Sequence, residues 1–461
     1  MIAFLFQGQT MTRYGIRNSL ILIAAIALCC VPAWAQKQVP LPELNSKRLL
    51  NDLHITVAST PNMSDDMMIG LVIGYGSAFD PLPDKSGLAN LLSQMFLRAT
   101  ANKSAKGIRD ELEALGASIE VKCDWDGFRF ILNGQSSKYE GSLLLLYELV
   151  AEAQFTEPDF KAVRESILQS IQKPPDPRQR IHRQLEKVLF AGTTYGRPIE
   201  GDQRSVSGIT LGDVRVFYRK YFSPSQASLI VVGNVPESDV IQKASRIWGV
   251  WVRNDDVPFT FKSPLKPAGR QIFLEDDPGS PAAQFIVGNL FPQREDPLFG
   301  SAMLAAQIFQ DRLTKLLPSS LLTVGYEGRR MASPFYVQGQ AAADQTVDQL
   351  QKIREAADDL KNSTVSKEEL EAAQQKVIEE FNRGLSTTYG ICSMILDSEL
   401  YRLGSNYATI FPNQILRFDA DAIQEAARNW IFPIGEVMLI RGPANSLKPA
   451  LSPLGSPRPL P

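Results

Sequence analysis

Two copies of one unit run in tandem along this chain, and any fold it adopts has to accommodate both. Near residue 209 it reads Ile209-Thr210-Leu211-Gly212-Asp213-Val214, then Tyr221-Phe222-Ser223-Pro224 and Leu229-Ile230-Val231-Val232-Gly233-Asn234. A shift of 209 residues gives Phe418-Asp419-Ala420-Asp421-Ala422-Ile423, Trp430-Ile431-Phe432-Pro433 and Met438-Leu439-Ile440-Arg441-Gly442-Pro443, with aromatic, proline and glycine in register. At an offset of 210, Phe155-Thr156-Glu157-Pro158-Asp159-Phe160 meets Val365-Ser366-Lys367-Glu368-Glu369-Leu370. Each carries a hydroxyl N-cap with an acid three residues on, the pattern of a capping box. Apolar pairs follow at helical spacing: Phe160/Leu370, Val163/Ala373, Ile167/Val377 and Ile171/Phe381. At an offset of 214, Leu71-Val72-Ile73-Gly74 meets Phe285-Ile286-Val287-Gly288. Three elements at nearly constant offset identify a duplicated unit of about 200 residues.

Within each copy, strand patterns such as 69–73, 128–132 and 228–232 alternate with helical patterns at 87–97, 105–115, 142–153, 157–172 and 211–221. The fold class is therefore α+β: two homologous lobes, each a mixed β-sheet covered on one face by helices. The expected division is residues 36–253 for the first lobe, 254–269 for a proline-containing linker and 270–446 for the second lobe. Residues 447–461, rich in Pro, Ser and Leu, read as a disordered tail. Before the first lobe, Arg13 and Arg17 precede an apolar run from Leu20 to Val31 and then Ala33-Trp34-Ala35. This is the pattern of a secretory signal over residues 1–35, cleaved after Ala35, with Met11 rather than Met1 an alternative start. The run is too short for a comfortable membrane span. The expected location is the periplasm or beyond, with lipid anchoring at Cys29 or Cys30 a lesser alternative. Cys123 and Cys392 then remain, far apart in sequence, and read as buried small hydrophobes rather than a bridge.

The net charge is near zero and histidine is scarce. Lys+Arg 48 against Asp+Glu 50 leaves a net charge of −2, which demotes nucleic-acid binding. The chain has two histidines, His54 and His182, so no pair of imidazoles at i, i+4 can be built. His54 lies in the alternating stretch Leu53-His54-Ile55-Thr56-Val57 and reads as a strand residue. His182 has no His or Cys at i+3 or i+4, and Glu186 beside it reads as its helix-surface pair. There is no G-x-S-x-G elbow, phosphate-cradling loop or C-x-x-C.

One stretch resembles a known family. Gly74-Tyr75-Gly76-Ser77-Ala78-Phe79-Asp80-Pro81 and Lys85-Ser86-Gly87-Leu88-Ala89-Asn90-Leu91-Leu92-Ser93-Gln94 are similar to the pitrilysin/insulinase metallopeptidases, which include the mitochondrial processing peptidase. Leu112–Gly116 with Ala117, Tyr195-Gly196-Arg197-Pro198 and the 221–234 block extend the resemblance over nearly the whole chain after residue 35. The resemblance implies two duplicated lobes and, in active members, a helix carrying H-x-x-E-H, whose two imidazoles hold zinc while the glutamate activates water. Here those places hold Asn90, Ser93 and Gln94. An amide is a poor zinc ligand and a serine hydroxyl is no general base at neutral pH. The family's third ligand falls at Gln169 or Ser170, with Glu165 a turn too early. An arginine and tyrosine that grip substrate in the second lobe of relatives fall at about Pro318 and at Val324. Tyr326, two residues further along, with Arg329 and Arg330 nearby, is a displaced candidate for substrate contact against the plainer reading of a strand tyrosine with solvated arginines.

The resemblance thus implies a non-catalytic subunit that binds no cofactor itself. It would pair, as a heterodimer, with a zinc-bearing subunit of the same family to enclose peptide substrates, which lie along an exposed sheet edge. A stand-alone structural or peptide-binding protein, or a peptidase with non-standard ligands, are the other readings.

Overall fold

The structure, a computed structural model, describes residues 41–460 apart from 62, 64, 82, 83, 255 and 256. The signal segment, Met1, Met11, Cys29 and Cys30 lie outside the described residues. Two mixed sheets organise the rest. The first runs β1-β2-β6-β3-β5-β4, from β1 (Leu44–Arg48), β2 (His54–Ser59), β3 (Asp66–Ile73), β4 (Ser118–Cys123), β5 (Phe128–Gln135) and β6 (Ala227–Gly233). The second runs β7-β11-β8-β10-β9, from β7 (Gln271–Asp276), β8 (Ala282–Phe291), β9 (Thr323–Tyr326), β10 (Ser333–Ala342) and β11 (Val437–Gly442). In each sheet one pair is parallel, β2 with β6 and β7 with β11, and the other pairs are antiparallel.

The helices form where their caps and apolar spacing direct. Ala105–Leu115 begins on the Ser104 hydroxyl and ends at Gly116 in the left-handed region (φ 59°). Ser366 makes a full capping box with Glu369. At Thr156 half of the box forms: its Oγ1 accepts from the Asp159 amide and donates to the Asp159 carboxylate at 2.5 Å. The repeat needs a correction in β3 and β8. Val72 pairs with Ser228, and Gly288 pairs with Val437, which stands 209 residues after Ser228. Val72 is therefore the equivalent of Gly288, an offset of 216, not 214. Slipping two residues leaves every side chain on the same face, so the apolar pattern cannot reveal it.

One-face coverage is also overturned. The inner face of the first sheet, including Ile55, Ile69, Leu71, Phe130 and Leu229, packs on helices of its own half. Its other face, Ala58, Met68, Val72, Ile131, Ile230 and Val232, is covered by Ile391, Cys392, Ile395 and Leu396 of helix Thr388–Leu400, which belongs to the second repeat. Reciprocally, Ile286, Leu290, Val437 and Leu439 are covered by Ile181, Leu185 and Leu189 of helix Pro177–Leu189 from the first repeat. The two halves exchange a helix. Glycines make room for it: a Cβ on Gly70 would come 2.8 Å from Cys392 Sγ and 2.9 Å from Leu396, and one on Gly288 would come 2.5 Å from Leu185. Cys123 and Cys392 are both free thiols.

Segment 254–269 carries no helix or strand among its described residues, yet it is tied down. Phe259 stacks on Tyr75 at 5.4 Å, and the Tyr75 hydroxyl donates to the Val257 carbonyl at 3.0 Å. The tail, expected to be disordered, is folded. Ala444–Ala450 is helical, Leu447, Leu451 and Leu454 enter the second core, and Arg458 bridges to Phe273. Leucines at i, i+4 and i+7 present one apolar face, a signal that the surrounding Pro and Ser obscure.

Candidate functional site

Helix Leu88–Met95, bearing the three motif positions, starts from Gly87 in the left-handed region (φ 96°). A Cβ there would meet the Glu200 carbonyl at 2.7 Å. Asp80 caps the helix, its two carboxylate oxygens accepting from the Gly87 and Ala89 amides at 2.9 Å each. Leu88, Ala89, Leu91, Leu92 and Met95 fix the helix in the first core. Asn90 is half-buried and Gln94 exposed. Ser93 is buried, and its hydroxyl donates to the Asn90 carbonyl one turn back (2.7 Å), a bond within the helix itself. The neighbouring helix Glu157–Gln172 packs against it, but its Glu165, Gln169 and Ser170 are all exposed. This donor set, two amides and a turned-in hydroxyl, does not fit zinc.

The same helix lies against β4, an edge strand that the sequence reading omits although Ser118-Ile119-Glu120-Val121-Lys122-Cys123 alternates in exposure. β4 pairs with β5 on one side. Its other edge offers backbone N–H and C=O groups to an added strand.

Asp80 is fully buried, and burial pushes its carboxyl up to about 7 although the Ala89 and Gly87 amides and Arg197 pull the other way. The unfolded chain releases this proton near 3.8, so between about pH 4 and 7 the folded state binds more protons. The contribution of Asp80 to stability is thus greatest at low pH and declines as pH rises through about 7. Urea midpoints across pH 4.5–8 should show this slope, and Asp80→Asn should flatten it; an equal slope in both proteins would refute the assignment.

Tyr326, Arg329 and Arg330 are not brought together. Tyr326 stacks on Phe291 (5.1 Å) and lines a cavity of about 400 Å³ with Arg294, Glu380 and Phe411; burial and Glu380 raise its hydroxyl to about 12. Arg329, expected to be solvated, is 3% exposed. It pairs with Glu186 and Glu327 and lies 3.8 Å over the Trp125 ring. Burial opposes its charge, and Glu327 and Glu186 outweigh burial and hold its pKa above the ordinary range. Arg330 turns elsewhere, donating to the Gly74 carbonyl at 2.9 Å and lying 4.2 Å over Phe259.

His54 is a strand residue, as expected, and His182 lies beside Glu186 at i+4, but that pair is not on the helix surface. Glu186 is buried, and its partner is Arg329; His182 Nδ1 stays 3.8 Å away, with its ring edge-on to Tyr336. His54 bonds Glu399 at 2.9 Å, joining β2 to the exchanged helix. Burial would raise the Glu399 carboxyl, but His54 and Ser228 hold it below its usual range. Among the described residues, His182, Glu186 and Glu327 are the one group of three with ligand atoms within 4.8 Å of one another. The Arg329 guanidinium binds both of its carboxylates.

The chain matches the insulinase (peptidase family M16) pattern over residues 56–203 and the peptidase M16 inactive-domain pattern over residues 208–377. An uncharacterized zinc protease of Rickettsia bellii is 23% identical over 425 residues, which cover 87% of this chain and 98% of the relative. A crystal structure of a peptidase M16 inactive domain from Pseudomonas fluorescens superposes with a TM-score of 0.79 at 20% identity, covering 87% of this chain and 98% of that one. A protease from Helicobacter pylori gives 0.76 at 16%, covering 87% and 100%. With both lobes matched in sequence pattern and the mixed sheets matched in space, the chain belongs to the pitrilysin/insulinase (M16) peptidase family.

Proposed function

We propose that this chain is a non-catalytic, exported M16 subunit that encloses peptides together with a separate zinc-bearing subunit, as a heterodimer. The observation that carries this is the helix Leu88–Met95, where Asn90, Ser93 and Gln94 offer no metal ligand or base beside an edge strand, β4, with an open backbone. An added peptide strand would gain main-chain hydrogen bonds there without strict side-chain selection. The Pseudomonas neighbour, an M16 inactive domain, supports the non-catalytic reading. Export rests on the positive, apolar and small-residue order of positions 13–35.

Two measurements test this. Pull-down from the native envelope fraction should recover an H-x-x-E-H subunit, and peptide cleavage by that subunit should fall when this chain is omitted. A monomer without a partner, and cleavage indifferent to this chain, would favour a stand-alone peptide-binding protein. Among the described residues the His182–Glu186–Glu327 group is the candidate for a non-standard zinc site, and Arg329 already ion-pairs with both of its carboxylates. Elemental analysis of the purified chain should find zinc well below one equivalent. Stoichiometric zinc lost on His182→Ala or His54→Ala would overturn the reading.

A further inference from the structure

A second, polar cavity of about 440 Å³ lies where the two halves meet, bounded by Arg48, His54, Arg330, Glu399 and Arg402. Its three arginines come from separate parts of the chain: the end of β1, the loop after β9, and the C-terminal end of the exchanged helix Thr388–Leu400. None of the three lies within ion-pair distance of a carboxylate among the described residues. Arg48 reaches the Asp52 carbonyl at 3.4 Å, Arg330 the Gly74 carbonyl at 2.9 Å, and the Arg402 guanidinium has no hydrogen-bond partner among the described residues. The carboxylates that line the cavity make their hydrogen bonds and ion pairs with other groups, Glu399 with His54 and Ser228 and Asp52 with Arg253, and the charge of Arg48 acts on Glu399 without an ion-pair contact. In the other large cavity between the halves, Arg329 pairs with Glu186 and Glu327 and Arg183 with Glu200, while Arg178 and Arg197 make no ion pair among the described residues.

Arg402 supplies a second argument. Its φ is 54°, and the Leu403 amide closes onto the Ser398 carbonyl at 2.9 Å, so Arg402 stands at the left-handed C′ position of a helix, where glycine is the usual residue. An L side chain there costs about 1 kcal/mol. Despite that cost an arginine occupies the position, and its residue lines the same cavity as Arg48 and Arg330. Guanidinium forks match the paired oxygens of carboxylates and phosphates.

We infer that this cavity binds a small multivalent oxyanion, carrying carboxylate or phosphate groups, held by Arg48, Arg330 and Arg402. The inference does not depend on the peptide-chamber reading. Isothermal calorimetry on the full chain at low ionic strength, with inorganic phosphate in one arm and citrate in the other, should show saturable binding in at least one arm, and the stronger arm identifies the oxyanion. Sodium chloride of matched ionic strength should give none. Arg48→Gln with Arg402→Gln alters two exposed side chains, so melting should stay close to wild type while Kd rises by at least about tenfold, the loss expected from charge-assisted hydrogen bonds. Lys106→Gln, on an exposed helical pair far along the chain, should leave Kd unchanged. Absence of saturable binding up to about 10 mM in both arms, or binding unaffected by the double substitution, would overturn the inference.

Discussion

Arg329→Ala is expected to destabilise the protein by about 3–5 kcal/mol, the cost of stripping one partner from a buried ion pair. Arg329 is 3% exposed, and its guanidinium pairs with Glu186 and Glu327 and covers the Trp125 ring. Without it, Glu186 is left as an uncompensated charge in a buried position. The urea midpoint should fall with little change in m, since the surface exposed on unfolding is nearly the same. Adding Glu186→Gln should recover part of the loss, because the two residues act on one another directly. A midpoint that barely moves, or a double variant no better than the single, would mean that the pair contributes little.

The helix exchange predicts an effect of similar size. Leu185 and Leu396 are fully buried, each on the sheet of the opposite half. Truncating either to alanine should cost about 2–5 kcal/mol. Each half completes the other's core, so unfolding should be one transition, with far-UV circular dichroism and tryptophan fluorescence coinciding in wild type and in both variants. Two separated transitions would show that the halves are independent and that the exchanged helices contribute only surface contact.

How much of this is legible in the sequence varies with how local the information is. Helices Ala105–Leu115, Glu157–Gln172 and Leu211–Tyr221 fall where spacing and caps place them, because Ser104, Thr156 and Thr210 satisfy end amides with residues three positions away. The second covered face of the sheet also left a trace. Leu229-Ile230-Val231-Val232 is apolar without alternation, the pattern of a strand buried on both sides, and it argues against one-face coverage. The slip between 214 and 216 left no such trace, since both offsets keep the faces. Asn90, Ser93 and Gln94 could be identified from the sequence, but not that Ser93 turns its hydroxyl back to its own helix. Arg329 and Arg330, adjacent in sequence, reach different cavities, and no pattern of residue types distinguishes their directions.

Duplication, the capped starts of three helices and the side chains carried by the motif helix were set by the order of residues alone, because they depend on spacing of a few positions and on which atoms a side chain carries. The helices expected at 87–97 and 142–153 instead run Leu88–Met95 and Tyr139–Ala151. Which sheet each half's helix covers, which acid each arginine meets and which cavity each arginine lines were decided by the folded chain. Those contacts join residues more than a hundred positions apart, such as Arg329 and Glu186 or Gly70 and Leu396, and packing and burial select them only once the two halves have closed on each other.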